Sequence, residues 1–437
     1  RYTHRLARMQ EFTHRFLRGA AAGEALRIIS KLRDAGFVAY LAGGCVRDAL
    51  LGKPPKDYDV ATDATPDSVR EVFGKARTLA FGSSFGVIGV LPPRRDRSGA
   101  GAAARTVHPT EVATFRSDGF YSDGRRPDSV HFGDAKHDAL RRDFTINGLF
   151  YDPIEDRVID FVGGQSDLQS GILRTIGDPL ERFGEDKLRM LRAVRFATTL
   201  GFAFEPLTLR AIIEHADDIH AVSAERIGAE MRRVLVAGAA VTGLRHLIAC
   251  GLDRPVLPEV HDMDLNRAGR LLDHARPDFS LRLACILALV EDPPRSLASI
   301  GHRWRLSGEE TRRAAAALNH WPTIMQTRSL PWSEVQPVLI NRDAETIVAL
   351  ADAIICANVS EGESAGVEDV AAAQTALSWP AERLNPPPLL TGDDLHQLGI
   401  PPGPKYAAIL QATRADQLND RIRTRAEAIA RIDRHRE

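Results

Sequence analysis

Phe37-Val-Ala-Tyr-Leu-Ala-Gly-Gly-Cys-Val-Arg-Asp-Ala-Leu-Leu-Gly52 decides the architecture of the first part of this 437-residue chain. The apolar run from Phe37 to Ala42 reads as a short buried strand, Gly43-Gly44 as a turn, and Val46 to Leu51 as a helix stopped by Gly52. Strand, glycine turn and helix in that order open an α+β domain. Two glycines let the backbone come close to a ligand, and the helix that follows turns N–H groups and a positive dipole end towards an anion. Gly44 and Arg47 are therefore candidate anion contacts, Arg47 through a charge-assisted fork to phosphate. A plain turn is the alternative reading of the glycines.

Working outward, Asp57-Tyr-Asp59 comes next. On a strand, residues two apart share a face, so the two carboxylates point together and Tyr58 points into the opposite layer. Adjacent carboxylates repel unless a cation separates them, and this is the arrangement a magnesium pair needs for phosphoryl or nucleotidyl transfer. A solvated acidic turn is the alternative. Thr65-Pro66 reads as an N-cap and first helical residue, with the helix running to Phe73 and stopping at Gly74. Gly86 to Leu91 and Glu111 to Phe115 read as further strands, and Glu111 is a candidate third carboxylate beside the pair. Residues 92–109 read as a surface connection and 116–131 as a flexible loop, too rich in glycine and charge to pack. In Asp138-Ala-Leu-Arg-Arg-Asp-Phe-Thr-Ile-Asn-Gly148, Arg142 is a candidate phosphate contact and Asp143 a candidate acceptor for a ribose hydroxyl, with Asn147 in the same group. An Arg–Asp ion pair at a helix start is the alternative there.

Glu185-Asp-Lys-Leu-Arg-Met-Leu-Arg-Ala-Val-Arg195 reads as one helix, with Leu188, Leu191 and Val194 as its apolar stripe. Asp186 and Arg189 would be neighbours on its surface, and Arg192 and Arg195 continue the row. An Asp accepts hydrogen bonds and an Arg only donates them. Side by side they match a base edge offering an amino donor beside a ring-nitrogen acceptor, which cytosine and adenine present and uracil and guanine do not. A salt-bridged surface helix is the alternative.

Beyond residue 200, amphipathic patterns over Leu207–His215, Ala224–Ala237, Thr242–Cys250, Leu281–Val290 and Glu310–Asn319 predict a helical domain, interrupted by prolines. His261-Asp262 lacks a matching set of His and Asp partners. Residues 361–364 and Asn385-Pro-Pro-Pro388 read as connectors. At 437 residues the chain exceeds one core and predicts two to four domains. Four scattered cysteines without a CxxC pair argue against a zinc site or a disulfide framework and for a reducing compartment, read as cytoplasm. No apolar run has the length of a membrane helix, and the start lacks the apolar core of a signal peptide. The formal charge is −1, but both ends are basic: Arg1, Arg5, Arg8, Arg15 and Arg18 at one, Arg421 to Arg436 at the other. Local rather than net charge is what a phosphate backbone feels.

Taken together, Leu41-Ala-Gly-Gly-Cys-Val-Arg-Asp48, Lys56-Asp-Tyr-Asp-Val-Ala-Thr62, Glu111-Val-Ala-Thr-Phe-Arg116, Arg141-Arg-Asp-Phe-Thr-Ile-Asn147, Asp160-Phe-Val-Gly-Gly164 and Glu185-Asp-Lys-Leu-Arg189 resemble, in order and spacing, the class II tRNA nucleotidyltransferase and bacterial poly(A) polymerase family. The resemblance covers about residues 35–235. It implies an α+β, polymerase-beta-like nucleotidyltransferase head at 22–165, then an all-helical neck at 166–238, body at 239–375 and tail at 376–437. It implies a two-metal mechanism with Mg2+, CTP and ATP as substrates, and the 3′ end of tRNA as the partner, with no membrane and no obligatory protein partner. By the same resemblance Asp57 and Asp59 hold magnesium, Gly44 and Arg47 contact the triphosphate, and Arg142 and Asp143 contact phosphate and ribose. Asp186 and Arg189 face the incoming base, and Arg192 and Arg195 lean towards the nucleotide. Leu398 to Tyr406 resembles a tail turn whose Lys405 grips an RNA backbone. Ala80 to Gly86 is less basic than the corresponding stretch of the poly(A) polymerases, which favours tRNA. Poly(A) synthesis on varied RNA is the second reading, and an RNA-binding protein without catalysis the third. The insert at 92–109 departs from the family pattern.

Overall fold

The computed structural model describes residues 19–82, 86–93, 109–119, 129–359, 365–400 and 403–434. The basic residues 1–18, most of the 92–109 insert, residues 120–128, the 361–364 connector and the Lys405 side chain lie outside what is described. The chain divides into two compact units, residues 1–222 with 249–255, and residues 223–248 with 256–437.

The first unit is built on a mixed seven-stranded sheet. Its strands are β1 (Ala39–Ala42), β2 (Asp59–Thr62), β3 (Thr78–Gly82), β4 (Val87–Val90) and β5 (Thr110–Thr114). A hairpin of β6 (Arg116–Asp118) and β7 (Val130–Phe132) follows, and β8 (Leu149–Asp152) and β9 (Arg157–Asp160) complete the sheet. The order across the sheet is β3-β4-β5-β2-β1-β8-β9. β2 and β5 run parallel, with Val60 opposite Val112, while β1 pairs antiparallel with both β2 and β8. The helix Ala20–Asp34 covers β1 and β2 with Ala22, Ala25, Ile28, Ile29 and Leu32 buried, the three- and four-residue spacing of one helical face. The helix Pro66–Phe73 begins as its sequence predicts: the Thr65 hydroxyl accepts from the Ser68 N–H, proline occupies the first turn, and Gly74 ends it at φ 85°.

Three expectations are corrected. First, Asp57 precedes the strand rather than lying on it, since β2 begins at Asp59. Tyr58 is buried between two exposed aspartates, so the alternation of faces holds across the strand's entry. Second, the 116–131 segment is not simply a loop. Arg116, Ser117 and Asp118 pair with Phe132, His131 and Val130, because a backbone ladder needs no apolar face to form. Third, residues 185–195 are not one helix. One helix, Pro179–Glu185, ends at Asp186, whose backbone is extended (φ −144°, ψ 102°), and a second, Leu188–Leu200, begins two residues later. The Asp186 carboxylate accepts from the Leu188 N–H at 3.1 Å, and its carbonyl from the Arg189 N–H at 3.0 Å. Asp competes for backbone donors in this way and so favours helix starts over helix interiors.

Among its described residues the second unit is nearly all helical, and the five amphipathic patterns expected after residue 200 all fold as helices, the first of them, Pro206–Glu214, in the first unit. The apolar helix Ala344–Val359 packs against Gly308–Ile324 and Leu265–His274. Buried Arg282, 6 % exposed, donates to the carbonyls of Leu235 (2.9 Å), Ala237 (2.5 Å) and Ala275 (3.3 and 3.2 Å). It satisfies carbonyls that helix ends leave without intrahelical partners. Arg282→Met keeps most of the volume but orphans two buried acceptors, the Leu235 and Ala275 carbonyls, and the part-buried Ala237 carbonyl, and is expected to cost ~2–4 kcal/mol of unfolding free energy, read by urea titration. A loss below about 0.5 kcal/mol would refute the bracing role.

Candidate active site

A cavity of about 390 Å³ opens in the first unit where the sheet meets the helices that follow it. Gly43 and Gly44 lie on its wall at the end of β1, Asp59 at the entry of β2, and Arg116 at the start of β6. Arg141, Arg142, Asp143 and Asn147 come from the segment between the Ala135–Leu140 helix and β8, and Asp186, Arg189 and Arg192 from the helix junction. Five arginines against three aspartates make this a cationic wall with an acidic edge, suited to a polyanion that arrives with a cation.

The acidic edge is set by strand register. The parallel pairing of Val60 with Val112 places Asp59 beside Glu111 on the neighbouring strand. Asp59 keeps an open face to solvent, yet the protein around its carboxyl displaces enough water to raise its proton affinity. Glu111 and Asp57 raise it further and Arg142 opposes them, leaving a pKa of about 6. Carboxylates that repel in this way are relieved by a cation, and an all-oxygen donor set suits a hard divalent ion. Asp57 and Asp59 therefore fit a divalent metal, with Glu111 adjacent. Among the described residues no three His, Cys, Asp or Glu side chains are grouped tightly enough to enclose one. Behind Asp59, the buried Cys45 thiol donates to the Ala42 carbonyl, and burial, with Asp59 adding to it, pushes the thiol up to about 12.

The glycine turn serves an arginine. Gly43 sits at φ 70°, and a side chain there would place its Cβ 2.7 Å from Arg142 Nη1. Arg142 fills that space, donating to the Asn147 carbonyl at 3.1 Å and lying 5.0 Å from the Phe150 ring centre. Arg47, in contrast, is absent from the cavity lining. It donates to Asp48 (2.8 and 2.7 Å) and to Asn147 Oδ1 (2.6 Å), and stacks over Phe196.

Asp143 is committed within the protein. It accepts from the Phe144 N–H (2.9 Å), Asn147 Nδ2 (3.0 Å) and Arg192 through Nε (2.9 Å) and Nη2 (2.5 Å). Burial alone would raise its pKa, but Arg192 and the other donors outweigh it and hold the carboxyl at about 2. Here Asp143 fixes Arg192, a partner 49 residues away, rather than forming the local Arg–Asp pair at a helix start that was the alternative reading. Asp186 and Arg189 both line the cavity, from opposite sides of the helix break. Arg189 is 7 % exposed and donates to Glu185 Oε2 (2.5 Å) and the Arg182 carbonyl (2.8 Å). Arg195 is not among the lining residues and stacks 3.9 Å over Phe196. Asp57 and Glu111 flank Asp59 outside the lined volume.

Gly43, read from sequence as part of the glycine turn, lines the cavity, and so do Arg116 and Arg141, to which the sequence reading assigned no contact. Arg116 follows the Glu111 strand by one residue, and Arg141 neighbours Arg142, so proximity along the chain was a signal for both. Nothing in the sequence says which guanidinium of a pair turns inward.

Residues 39–174 match the family described as the poly A polymerase head domain, and residues 201–264 match the one described as a probable RNA and SrmB-binding site of polymerase A. A CCA-adding enzyme of Limosilactobacillus fermentum is 34% identical over 395 residues, covering 88% of this chain and 89% of that protein. One from Geobacillus stearothermophilus is 41% identical over 231 residues, about half of each chain. Among solved structures, the Bacillus stearothermophilus CCA-adding enzyme in complex with CTP superimposes with a TM-score of 0.73 at 27% identity, over 96% of this chain and 98% of that one.

The raised pKa of Asp59 sets a pH window. Binding of a divalent cation requires the ionised carboxylate, so affinity for Mn2+, read by calorimetry, is expected to fall roughly tenfold per pH unit below about 6. In the cation-free protein the sign reverses. The folded state holds the Asp59 proton more tightly than the unfolded chain, so this group's stabilisation is complete below the ordinary carboxylate range and lost as pH rises through about 6. Asp59→Asn is therefore expected to lose the cation and its pH slope while raising the melting temperature of the cation-free protein at pH 8. A variant that bound Mn2+ as tightly as the parent would contradict this assignment.

Proposed function

The chain belongs to the family of CCA-adding enzymes, and from that premise we propose that it builds the 3′ end of tRNA, adding C and A from CTP and ATP without a nucleic-acid template and releasing pyrophosphate. The observation that carries the reading is the gathering of Asp59, four arginines (Arg116, Arg141, Arg142 and Arg192) and the Asp186/Arg189 pair around one cavity. The relatives reported above are CCA-adding enzymes, and they weigh against poly(A) synthesis and against an inert RNA binder.

In this reading Asp57 and Asp59 hold divalent metal, magnesium, with Glu111 beside them. Metal held by these carboxylates would supply positive charge that favours the ionised 3′-hydroxyl and offsets the departing pyrophosphate. The RNA 3′-oxygen attacks the α-phosphorus, forming one P–O bond while the bond to the β-phosphate breaks. Arg116, Arg141 and Arg142 balance the charge of the triphosphate. Arg192, braced by Asp143, Gly44 and Asn147 border the same space, and Arg47 supports Asn147 from behind the wall. At the far side Arg189 brings donors and Asp186 acceptors, a pairing that cytosine and adenine satisfy and that uracil and guanine oppose. Arg195 acts through Phe196 rather than by direct contact.

Residues 22–165 serve as the catalytic head, 166–238 as the neck that carries the base reader, and 239–375 and 376–437 as body and tail. The Lys405 turn contacts RNA. Among the described residues no helix is long and apolar enough to cross a membrane; the cytoplasm, where tRNA is processed, is the location this reading assigns.

Transcripts of tRNA ending before the first C, after one C and after CC, with an unrelated RNA as control, test the reading when each nucleoside triphosphate is offered alone with magnesium. Addition of only the missing nucleotides is expected, and long A-tails on any RNA would overturn it. Asp59→Ala is expected to abolish incorporation. Arg189→Ala should lower discrimination against UTP and GTP by at least about tenfold, the scale of one charged hydrogen bond, while leaving Mn2+ affinity intact. Unchanged selectivity would remove Arg189 from the base reader.

A further inference from the structure

Beneath the cavity wall lies a carboxylate that does not reach the cavity itself. Asp138 is 1 % exposed, on the helix Ala135–Leu140, which packs against the β6 strand carrying Arg116. Its Oδ1 accepts from Arg141 through Nε at 2.8 Å and Nη2 at 2.5 Å, and its Oδ2 from Arg142 through Nη2 at 2.9 Å and Nε at 3.2 Å. Both arginines line the cavity.

We propose that Asp138 is a positioning residue for nucleotide binding, holding Arg141 and Arg142 side by side as a preformed clamp for the triphosphate. The inference rests on the nucleotidyltransferase reading and adds to it a residue that never meets the substrate.

Left to themselves, the two arginines would not stay together. Two adjacent guanidiniums repel and, on flexible stems, would turn outward into water; one carboxylate, each oxygen bridging to one of them, cancels the repulsion and fixes both. Arginine carries about 2 kcal/mol of rotamer entropy, so a pair ordered before the ligand arrives gives up less on binding. Burying a carboxylate is also a poor way to stabilise a fold, because apolar residues of similar volume serve equally well or better. Among the described residues the side-chain partners of Asp138 are these two arginines, so its effect is delivered at the cavity. Arg142, in turn, is constrained from every other side: Nη1 to the Asn147 carbonyl, its face on Phe150, and a glycine at position 43 where any Cβ would strike it. Among the described residues three of its five N–H groups are taken in this way, and the residue lines the cavity with two N–H groups left to donate. Position 43 lacks a side chain for the same end that Asp138 serves.

The test uses the full chain, with Asp138→Asn (neutral, same shape) and Asp138→Glu (same charge, one methylene longer). Steady-state addition of C and A to tRNA is measured beside calorimetric binding of inorganic tripolyphosphate, which has the phosphates but no base. Asp138→Asn is expected to raise KM for CTP and ATP alike by about tenfold, the effect of losing one charge-assisted hydrogen bond. It should weaken tripolyphosphate in proportion, change kcat less than about threefold, and leave the preference over UTP unaltered. Asp138→Glu should fall between the two, and Asp138→Asn should add little in an Arg142→Ala background. Unchanged KM and tripolyphosphate affinity in folded Asp138→Asn would overturn the proposal. So would a loss of active fraction with KM unmoved, the mark of a purely structural residue. Should Asp138→Asn fail to fold, Asp138→Glu decides by the same criterion. A parent protein that binds tripolyphosphate but incorporates no nucleotide would refute the nucleotidyltransferase reading instead, leaving the clamp to be judged by binding alone.

Discussion

The parallel pairing of β2 with β5 brings like charges together, and the rest of the head is arranged around that cost. Asp59 and Glu111 are neighbours because Val60 and Val112 are, and the register is held by a buried apolar layer that has no stake in the chemistry. Slipping the strands by one residue would separate the carboxylates but turn the valines to water. The core therefore enforces a repulsion that a cation can relieve, and an affinity for cations is built into the packing of side chains that never touch one.

Opposite that edge, charge is handled in the reverse manner. The cavity arginines are seldom left to solvent. Arg192 is fixed by Asp143, Arg189 by Glu185, and Arg141 and Arg142 by Asp138. Each pairing holds a guanidinium where it still faces the cavity, so the wall remains cationic without being loose. Ordering these side chains before a ligand arrives lowers the entropy that binding must overcome. The same economy explains why an anionic partner suits a chain of formal charge −1: two of the carboxylates that balance the arginines, Asp138 and Glu185, lie off the cavity lining.

Much of this was legible in the residues themselves. The strand–glycine–helix unit, the Thr65 cap and the helical second half follow from local rules of period and capping, and they fold as read. The ordered motifs marked Asp59, Arg142, Asp186 and Arg189, all of which line one cavity. What was hidden depends on partners distant in sequence. Arg47 and Asp143 read as ligand contacts because their chemistry permits it, and nothing along the chain marks the partners they hold within the protein, Asn147 and Arg192. The hairpin of β6 and β7 was invisible because backbone pairing leaves no apolar alternation in a segment so rich in charge. The break at Asp186 was missed because three-residue spacing of Arg189, Arg192 and Arg195 reads as a helix whether or not its first residue belongs to it.

That break changes what determines the distance between Asp186 and Arg189. Were both on one helix, their separation would be dictated by helical pitch, the same in every protein and beyond adjustment. Instead Asp186 stands at the end of one rod and Arg189 in the first turn of the next, with Lys187 between. Their spacing is a joint angle. Lengthening or shortening the chain at that joint would swing the whole arginine row about the second rod's axis while leaving both helices intact, so the alignment of donor with acceptor is open to change by evolution at a single place.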